Sequence, residues 1–244
     1  MKLLVFTLSF LFSLSCYSQA LIIGSSKFNP PFETWTSHEN DYYGYDVDLI
    51  KTICKRMNVK CTYKAYLFHE LFNAVNNNEV DLVIASIIRT EKREKDFLFS
   101  IPYLESYSQY ITSTKSSINN TDDLSGKRIG VRMGTPYGKQ VLSDNRQNKV
   151  IYYAMINDMF IGLQNNEIDA FLLDYEAAKY WIATNPGIYK LIGKKKPIGS
   201  GYAIMSNKSK SDLINRINTI LLQMNDDGTF LNLYSKYFDW IQTN

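Results

Sequence analysis

Cysteine and histidine are scarce in this chain of 244 residues, which contains three cysteines and two histidines. Three cysteines exclude a small protein that is held together mainly by disulfides. His38 and His69 do not have the spacing of metal ligands, so a zinc site is not expected, and both are interpreted as surface or rim residues. Aromatic residues, by contrast, make up 14% of the chain, which argues against intrinsic disorder.

Excess charge and the common catalytic signatures are also missing. Lysine and arginine total 27 against 24 acidic residues, and the only basic run is Lys194-Lys195-Lys196, which disfavours a nucleic-acid partner. The chain has no G-x-S-x-G elbow, no P-loop and no G-x-G-x-x-G turn. These absences lower the expectation of an enzyme, and no cofactor is expected.

The first twenty residues have the features of a secretory signal peptide. Lys2 supplies a positive start, residues 3–14 are almost wholly apolar, and Ser18-Gln19-Ala20 suits a small-x-small cleavage site. The apolar run is too short for a permanent membrane span, and no later stretch reaches the required length of about 18 residues. The alternatives are a buried first helix, or lipid attachment at Cys16, although Ser13 stands where a lipobox has a large aliphatic residue. We expect an exported, periplasmic protein, with a lipoprotein as the less favoured form.

Cleavage after Ala20 would leave two cysteines, Cys54 and Cys61. An even pair in an exported chain favours a disulfide. Such a bond would join the end of a helix to the start of the next strand. Two buried free thiols are the alternative.

The order of apolar segments predicts an α/β fold with two lobes, because strands and helices alternate in two successive series. The polar stretch 113–123 is a candidate crossing between the lobes. Strands are expected at 21–24, 61–65, 81–85, 128–131, 150–153 and 169–173, and helices at 46–57, 69–76, 157–164, 176–183, 211–224 and 229–238, with one more helix opened by Gly134-Thr135-Pro136.

Six longer segments occur in an order and spacing that resembles the polar amino-acid-binding proteins of ABC importers, a periplasmic solute-binding family. The resemblance covers residues 21–244. The segments are 44–49 (GYDVDL), 80–93 (VDLVIASIIRTEKR), 99–103 (FSIPY), 130–135 (GVRMGT), 168–174 (IDAFLLD), and 227–229 (DGT) followed by 234–240. The segment 54–61 (CKRMNVKC) is similar to the lysine/arginine/ornithine- and histidine-binding subgroup, which carries a disulfide at this spacing.

This resemblance implies a two-lobed clamp whose lobes are joined by two hinge strands. Lobe 1 would hold residues 21–110 plus 198–244, and lobe 2 would hold residues 111–197. The implied protein is a monomeric receptor that captures a small amino acid and passes it to a membrane ABC permease. The implied alternative is an enzyme on the same scaffold, similar to periplasmic cyclohexadienyl dehydratases, for which Glu176 is the nearby acid, although it is expected to face solvent. A sensory protein that activates a partner kinase in trans is a third possibility.

A zwitterionic amino acid needs a cation for its carboxylate and an anion for its ammonium group. Arg93 and Asp174 lie where the family places its carboxylate-binding Arg and its ammonium-binding Asp. A ligand that touched both would favour the closed state, because the two residues belong to different lobes. The plainer alternatives are a solvated surface charge for Arg93 and a helix N-cap for Asp174.

Other ligand contacts follow from the resemblance alone. Ser86 and Ile88 match backbone contact points beside the ligand, and Thr135 and Pro136 match a helix N-terminus that faces the ligand carboxylate. Pro136 lacks an N–H that the family uses, so the N–H groups of Thr135 and Tyr137 are the expected substitutes.

The side-chain pocket departs from the basic-amino-acid subgroup. Ser26 and Asn29 stand where the subgroup has an Asp and an aromatic residue, while Phe68 keeps the second aromatic. Arg132 replaces an apolar residue; its alternative role is a hinge-side ion pair. A cation in the pocket with no compensating carboxylate would repel a basic side chain. The disulfide segment thus indicates a basic ligand, whereas the pocket indicates a neutral polar or acidic one, and the pocket is given more weight.

Overall fold

The computed structural model describes residues 20–36 and 42–239 of the chain. Residues 1–19 of the predicted signal peptide lie outside the described residues. Cys16 and His38 therefore lie outside them as well. Within the described ranges, no helix has the length and apolar character that a membrane crossing requires.

The first lobe is built around a five-stranded sheet. Its strands are β1 (Leu21–Ser26), β5 (Cys61–Tyr66), β6 (Leu82–Val83), β7 (Leu98–Phe99) and β13 (Met205–Ser206). Their order across the sheet is β5-β1-β6-β13-β7, with β1, β5 and β6 parallel and β13 antiparallel to both of its neighbours. The three parallel strands therefore end at the same edge of the sheet.

The second lobe is built around another five-stranded sheet. Its strands are β8 (Tyr107–Ser113), β9 (Arg128–Arg132), β10 (Lys149–Tyr153), β11 (Ala170–Asp174) and β12 (Tyr189–Pro197). The order is β10-β9-β11-β8-β12, in which β9, β10 and β11 are parallel and β8 runs antiparallel to both of its neighbours, β11 and β12. Arg132 and Asp174 are the last residues of two adjacent parallel strands, so they lie at one edge of this sheet.

A small antiparallel sheet follows β1 in the chain. It consists of β2 (Phe28–Asn29), β3 (Glu33–Trp35) and β4 (Tyr42–Tyr43). The turn between β2 and β3 contains a cis peptide bond between Pro30 and Pro31. The register pairs Asn29 with Glu33, which brings the Glu33 backbone beside Asn29 at the end of the first lobe.

Helices cover both sheets with amphipathic faces. They are α1 (Tyr45–Met57), α2 (Leu71–Asn76), α3 (Glu91–Glu94), α4 (Tyr137–Asp144), α5 (Ile156–Gln164), α6 (Tyr175–Thr184), α7 (Ser211–Asp226) and α8 (Thr229–Tyr234). Short 3₁₀ turns span Phe68–Glu70, Asp122–Leu124 and Lys208–Lys210, and a π-helical turn spans Ser235–Asp239. In α1 the buried positions Val47, Ile50 and Cys54 recur at helical spacing, which explains why the sequence pattern predicts this helix.

Three elements differ from their expected limits. The strand expected at 81–85 is ladder-bonded only over Leu82–Val83, because the chain then turns out of the sheet to Ser86, which has a positive φ of 45°. The helix expected to open at Gly134-Thr135-Pro136 begins at Tyr137, since Gly134 has a φ of 84° that no α-helix accommodates. The last expected helix, 229–238, is α-helical only to Tyr234.

Cys54 and Cys61 form the expected disulfide, with their Cα atoms 6.2 Å apart. The bond joins the last turn of α1 to the first residue of β5. Two free thiols are therefore excluded.

Candidate functional site

Polar side chains from both lobes meet where the parallel strands of the two sheets end. Ser26 ends β1, Arg132 ends β9 and Asp174 ends β11, while Ser86 follows β6 by three residues. Carboxyl ends of parallel strands are the usual ligand-binding edge of an open α/β sheet. The two edges face each other, because residues of one lobe contact residues of the other, as the following contacts show.

The Asp174 carboxylate is 2% exposed and accepts hydrogen bonds from two tyrosine hydroxyls. Tyr137 and Tyr202 donate to its Oδ1 at 2.5 and 2.8 Å, and the side-chain amide of Asn29 approaches its Oδ2 at 3.5 Å. Asp174 occupies the N-cap position of α6, but its side chain makes no capping hydrogen bond. The carboxylate is therefore directed into the cleft and does not act as a helix cap.

The Arg93 guanidinium crosses from the first lobe to the second. Thr90 caps α3 by accepting from the Arg93 backbone N–H, which fixes the start of this short helix. The Arg93 side chain donates to the Ile88 carbonyl at 2.5 Å and to the Gly134 carbonyl at 2.8 Å. Its Cζ lies 4.7 Å from the centre of the Phe72 ring. Arg93 is therefore not a solvated surface charge, which was the plainer alternative.

Burial lowers the pKa of Arg93 to about 10, while the nearby Tyr137 raises it and the charge of Arg132 lowers it. The guanidinium remains charged at neutral pH. The Asp174 charge favours the protonated form as well, which confirms that the two groups are within electrostatic range of each other.

Ser86 and Asn29 are linked beneath the cleft. The Asn29 side-chain amide donates to the Ser86 hydroxyl at 2.8 Å, and the Ser86 backbone N–H donates to the Asp46 carboxylate at 2.6 Å. The Ser86 N–H is therefore already bonded within the protein. Ligand binding by the other polar atoms of Ser86 stays a prediction. Among the described residues, the Ile88 N–H has no hydrogen-bond acceptor, so it can serve a ligand.

Arg132 is 3% exposed and lies over Phe68, with its Cζ 4.0 Å from the ring centre. The contact joins the lobes, since Phe68 belongs to the first and Arg132 to the second. Within the described ranges, the Arg132 guanidinium has no carboxylate within 4.0 Å, so the hinge-side ion pair is not formed there. The face of the Phe68 ring, which the resemblance assigns to the ligand pocket, is therefore covered by this guanidinium.

Glu33 is a buried carboxylate that the sequence did not point to, and its contact with Ser26 corrects the premise that no carboxylate lies beside the predicted pocket. It is fully buried, and the Ser26 hydroxyl donates to its Oε1, while its Oε2 has no hydrogen-bond partner among the described residues. Burial raises the pKa of Glu33 well above its usual range; the charge of Asp46 adds to the rise and that of Arg132 opposes it. The cross-strand pairing with Asn29 was the signal that could have located it.

The turn after β9 positions the remaining predicted contacts. The Thr135 hydroxyl donates to the Arg132 carbonyl at 2.6 Å, and the Thr135 N–H reaches the same oxygen at 3.3 Å. Pro136 precedes the first helical residue, Tyr137, whose hydroxyl binds Asp174. Tyr137 therefore meets the cleft through its side chain, a role that the sequence did not indicate.

Glu176 was expected to face solvent, but it is buried and only 9% exposed. Its carboxylate pairs with Lys179 on the same helix at 2.7 Å. The described part of the chain contains no cluster of three or more His, Cys, Asp or Glu side chains that could hold a metal ion.

Comparison with known proteins finds a family model that matches this chain. The family model for bacterial extracellular solute-binding proteins, family 3, matches residues 21–239. ABC transporter arginine-binding protein 1 of Escherichia coli is 30% identical over 94% of this chain and 95% of its own length.

Two solved structures extend the comparison. An arginine 3rd transport system periplasmic binding protein from Legionella pneumophila is 57% identical, with a TM-score of 0.89 over 91% of this chain and 100% of that one. An ancestral arginine-binding protein bound to arginine is 30% identical, with a TM-score of 0.82 over 90% of this chain and 98% of that one.

Proposed function

The chain belongs to family 3 of the bacterial extracellular solute-binding proteins, and we propose that it captures an L-amino acid in the periplasm and delivers it to a membrane ABC permease. The proposal is carried by one arrangement: the Arg93 guanidinium and the buried Asp174 carboxylate come from opposite lobes and face the same cleft. A cation and an anion so arranged complement the two ends of a zwitterion.

The hydrogen bonds of these two groups suggest how a ligand enters. The ligand carboxylate would replace the Gly134 carbonyl as acceptor of the Arg93 side chain, and the free N–H of Ile88 would add a second bond. The ligand ammonium group would bind Asp174 through Oδ2, since the two tyrosine hydroxyls use Oδ1. A ligand bound in this way contacts both lobes and therefore stabilises the closed form.

The division into lobes at residues 21–110 plus 198–244 and 111–197, the monomeric state and the removal of residues 1–20 are parts of the same proposal. The chain runs between the sheets twice, before β8 and after β12, and the two connections lie side by side through a bridge between Leu104 and Tyr202. Paired connections of this kind can act as a hinge.

A non-catalytic receptor is favoured over a dehydratase-like enzyme that uses Glu176 as its acid. Such an enzyme needs a carboxylic acid that is free to exchange a proton with its substrate. Glu176, the candidate for that role, is paired with Lys179.

Thermal-shift and calorimetric titrations with the standard amino acids, ornithine, citrulline and prephenate test the function. At least one amino acid should raise the melting temperature, because a ligand that binds only the folded state stabilises it. Arg93→Ala should weaken that ligand by about 10²–10³-fold, since a buried charge-assisted contact is worth roughly 3–5 kcal/mol.

The partner variant Asp174→Asn should weaken the amino acid more than its des-amino analogue, because only the former has an ammonium group to lose. Absence of any amino-acid ligand, or turnover of prephenate, would refute the receptor function. Equal weakening of both compounds would remove Asp174 from the proposed role.

A further inference from the structure

Glu33 and Arg132 are a buried acid and a buried base that lie within electrostatic range of each other but form no ion pair. Glu33 is fully buried with one carboxylate oxygen unpartnered, and Arg132 is 3% exposed. No ion pair within 4.0 Å joins them, yet the charge of Arg132 influences the Glu33 carboxyl. Ser26, which donates to Glu33, and Arg132 both line a small cavity beside Phe68.

Each of these groups lacks something that a ligand can provide. The Arg132 guanidinium has no carboxylate within 4.0 Å, so its N–H groups can donate to an acceptor on a ligand. The unpartnered oxygen of Glu33 lacks a donor. A ligand side chain that ends in both a hydrogen-bond acceptor and a hydrogen-bond donor satisfies both groups at once.

We propose that the distal pocket selects amino acids whose side chains end in a neutral carboxamide or ureido group, with the ligand oxygen on Arg132 and the ligand N–H groups on Glu33. The proposal rests on the receptor function above and adds the chemical class of the ligand. L-Glutamine and L-citrulline are the representative ligands.

A side chain that ends in a guanidinium satisfies only half of the pair. It offers donors to Glu33 but no acceptor to Arg132, and it brings another guanidinium close to Arg132, whose charge already lowers the pKa of Arg93. A side chain that ends in a carboxylate has the opposite fault, since it offers no donor to Glu33 and lies near the buried acids Asp46 and Asp174.

Calorimetric titration of the whole protein with L-citrulline, L-glutamine, L-arginine and L-glutamate tests the proposal. The wild-type protein should bind citrulline or glutamine at least tenfold more tightly than arginine and glutamate. Arg132→Leu should lower the affinity for citrulline and glutamine at least tenfold. The ratio of their affinities to that for arginine should fall, or arginine should become the tighter ligand. Glu33→Gln should also weaken the neutral ligands, because its amide puts a second donor opposite the ligand N–H groups.

Arg146→Leu is the matched control, because it makes the same substitution at an exposed arginine of the second lobe. It should leave all four affinities unchanged. Melting curves of each variant identify any loss that comes from misfolding.

The outcomes separate this inference from the receptor function. Arginine as the tightest ligand, with unaltered preference in Arg132→Leu, would overturn the inference and leave the receptor function intact. Equal weakening of all four ligands by Arg132→Leu would assign Arg132 to the ligand's main-chain carboxylate and also overturn it. Binding of none of the amino acids tested would refute the receptor function itself.

Discussion

Asp46 anchors the residues beneath the cleft at the start of α1. Its Oδ2 accepts from the Ser86 backbone N–H at 2.6 Å and from the Tyr103 hydroxyl at 3.0 Å, while its Oδ1 has no partner among the described residues. Burial raises the pKa of Asp46 to about 7, and its two hydrogen bonds oppose the rise. The carboxyl is thus protonated between about pH 4 and pH 7, where an exposed aspartate is charged.

The raised pKa of Asp46 predicts that stability falls as pH rises. The folded protein holds the proton up to about pH 7, whereas the unfolded chain releases it near pH 4, so folding is favoured most below pH 4 and loses that advantage between about pH 4 and pH 7. The slope for one group approaches about 1.4 kcal/mol per pH unit. In Asp46→Asn the slope should become distinctly flatter, as measured by urea unfolding at several pH values.

Other groups do not reverse this direction within the window. Burial also raises the pKa of Glu33, so its contribution has the same sign as that of Asp46. The pKa of Asp169, held down by Arg128, affects stability only at lower pH. Asp122→Asn, at an exposed position, is the control and should keep the wild-type slope. An identical slope in Asp46→Asn and wild type would contradict the assignment.

For single residues, the sequence predicted the positions of charged groups in the cleft better than it predicted which charged side chains are buried. Arg93 and Asp174 were predicted from the resemblance to a family, and their contacts bring both to the facing edges of the two sheets, while their part in ligand binding stays a prediction. Glu33 was missed because its burial arises from the pairing of β2 with β3 and from a partner, Ser26, on another strand. No local pattern distinguishes such a glutamate from an exposed one.

The helix α1 and the strand β5 are joined at the end remote from the cleft. Asp46, in the first turn of α1, contacts the site, whereas Cys54 lies eight residues further along, about 12 Å at 1.5 Å per residue. The disulfide from Cys54 to Cys61 therefore fastens the element without contacting the ligand-binding residues.

Loss of this bond should lower stability without altering ligand affinity. The closed loop contains eight residues, counted from Cys54 to Cys61, and a loop of that size corresponds to roughly 2–3 kcal/mol through restriction of the unfolded chain. Cys54→Ala/Cys61→Ala should shift the urea midpoint accordingly, and reduced wild-type protein should match it. A change in ligand affinity, or no change in the midpoint, would contradict this separation of roles.

Element boundaries were predicted well where periodicity and polarity changed together, as in α1 and β9. They were predicted poorly where backbone conformation decides the end of an element. The strand β6 stops after Val83 and α4 starts only at Tyr137, and in both cases a residue with positive φ, Ser86 or Gly134, lies at the departure from the expected limits. Hydrophobic periodicity does not report on such dihedral angles.

Side chains and one loop of the two lobes touch across the cleft. Phe28 and Trp181 approach within 6.1 Å between ring centres, Arg132 covers Phe68, and the loop at Gly134 lies against the backbone of His69. These contacts exist only when the lobes are together. The balance between open and closed forms therefore depends on how closely these surfaces fit.

Gly134 is a position at which one added methyl group would alter this fit. A Cβ atom there would lie 2.9 Å from the His69 Cα and 3.0 Å from the His69 Cβ, closer than the surrounding atoms accept. Gly134→Ala should therefore oppose closure. Because a ligand bound by both lobes must hold them together, its affinity should fall about tenfold or more, as measured by calorimetry.

The substitution also strains the backbone, since Gly134 has a φ of 84°, and strain alone would lower stability by roughly 1 kcal/mol. Gly126→Ala isolates that effect. Gly126 belongs to the same proposed lobe and has a φ of 71°, but a Cβ atom added to it would have no neighbouring atom within 4 Å. Both variants should lose similar stability without ligand, and only Gly134→Ala should lose affinity. If the two variants bound ligand equally well, contact between the Gly134 loop and His69 would not control closure, and the energy of the closed form would have to reside in the ligand's own bonds to Arg93 and Asp174.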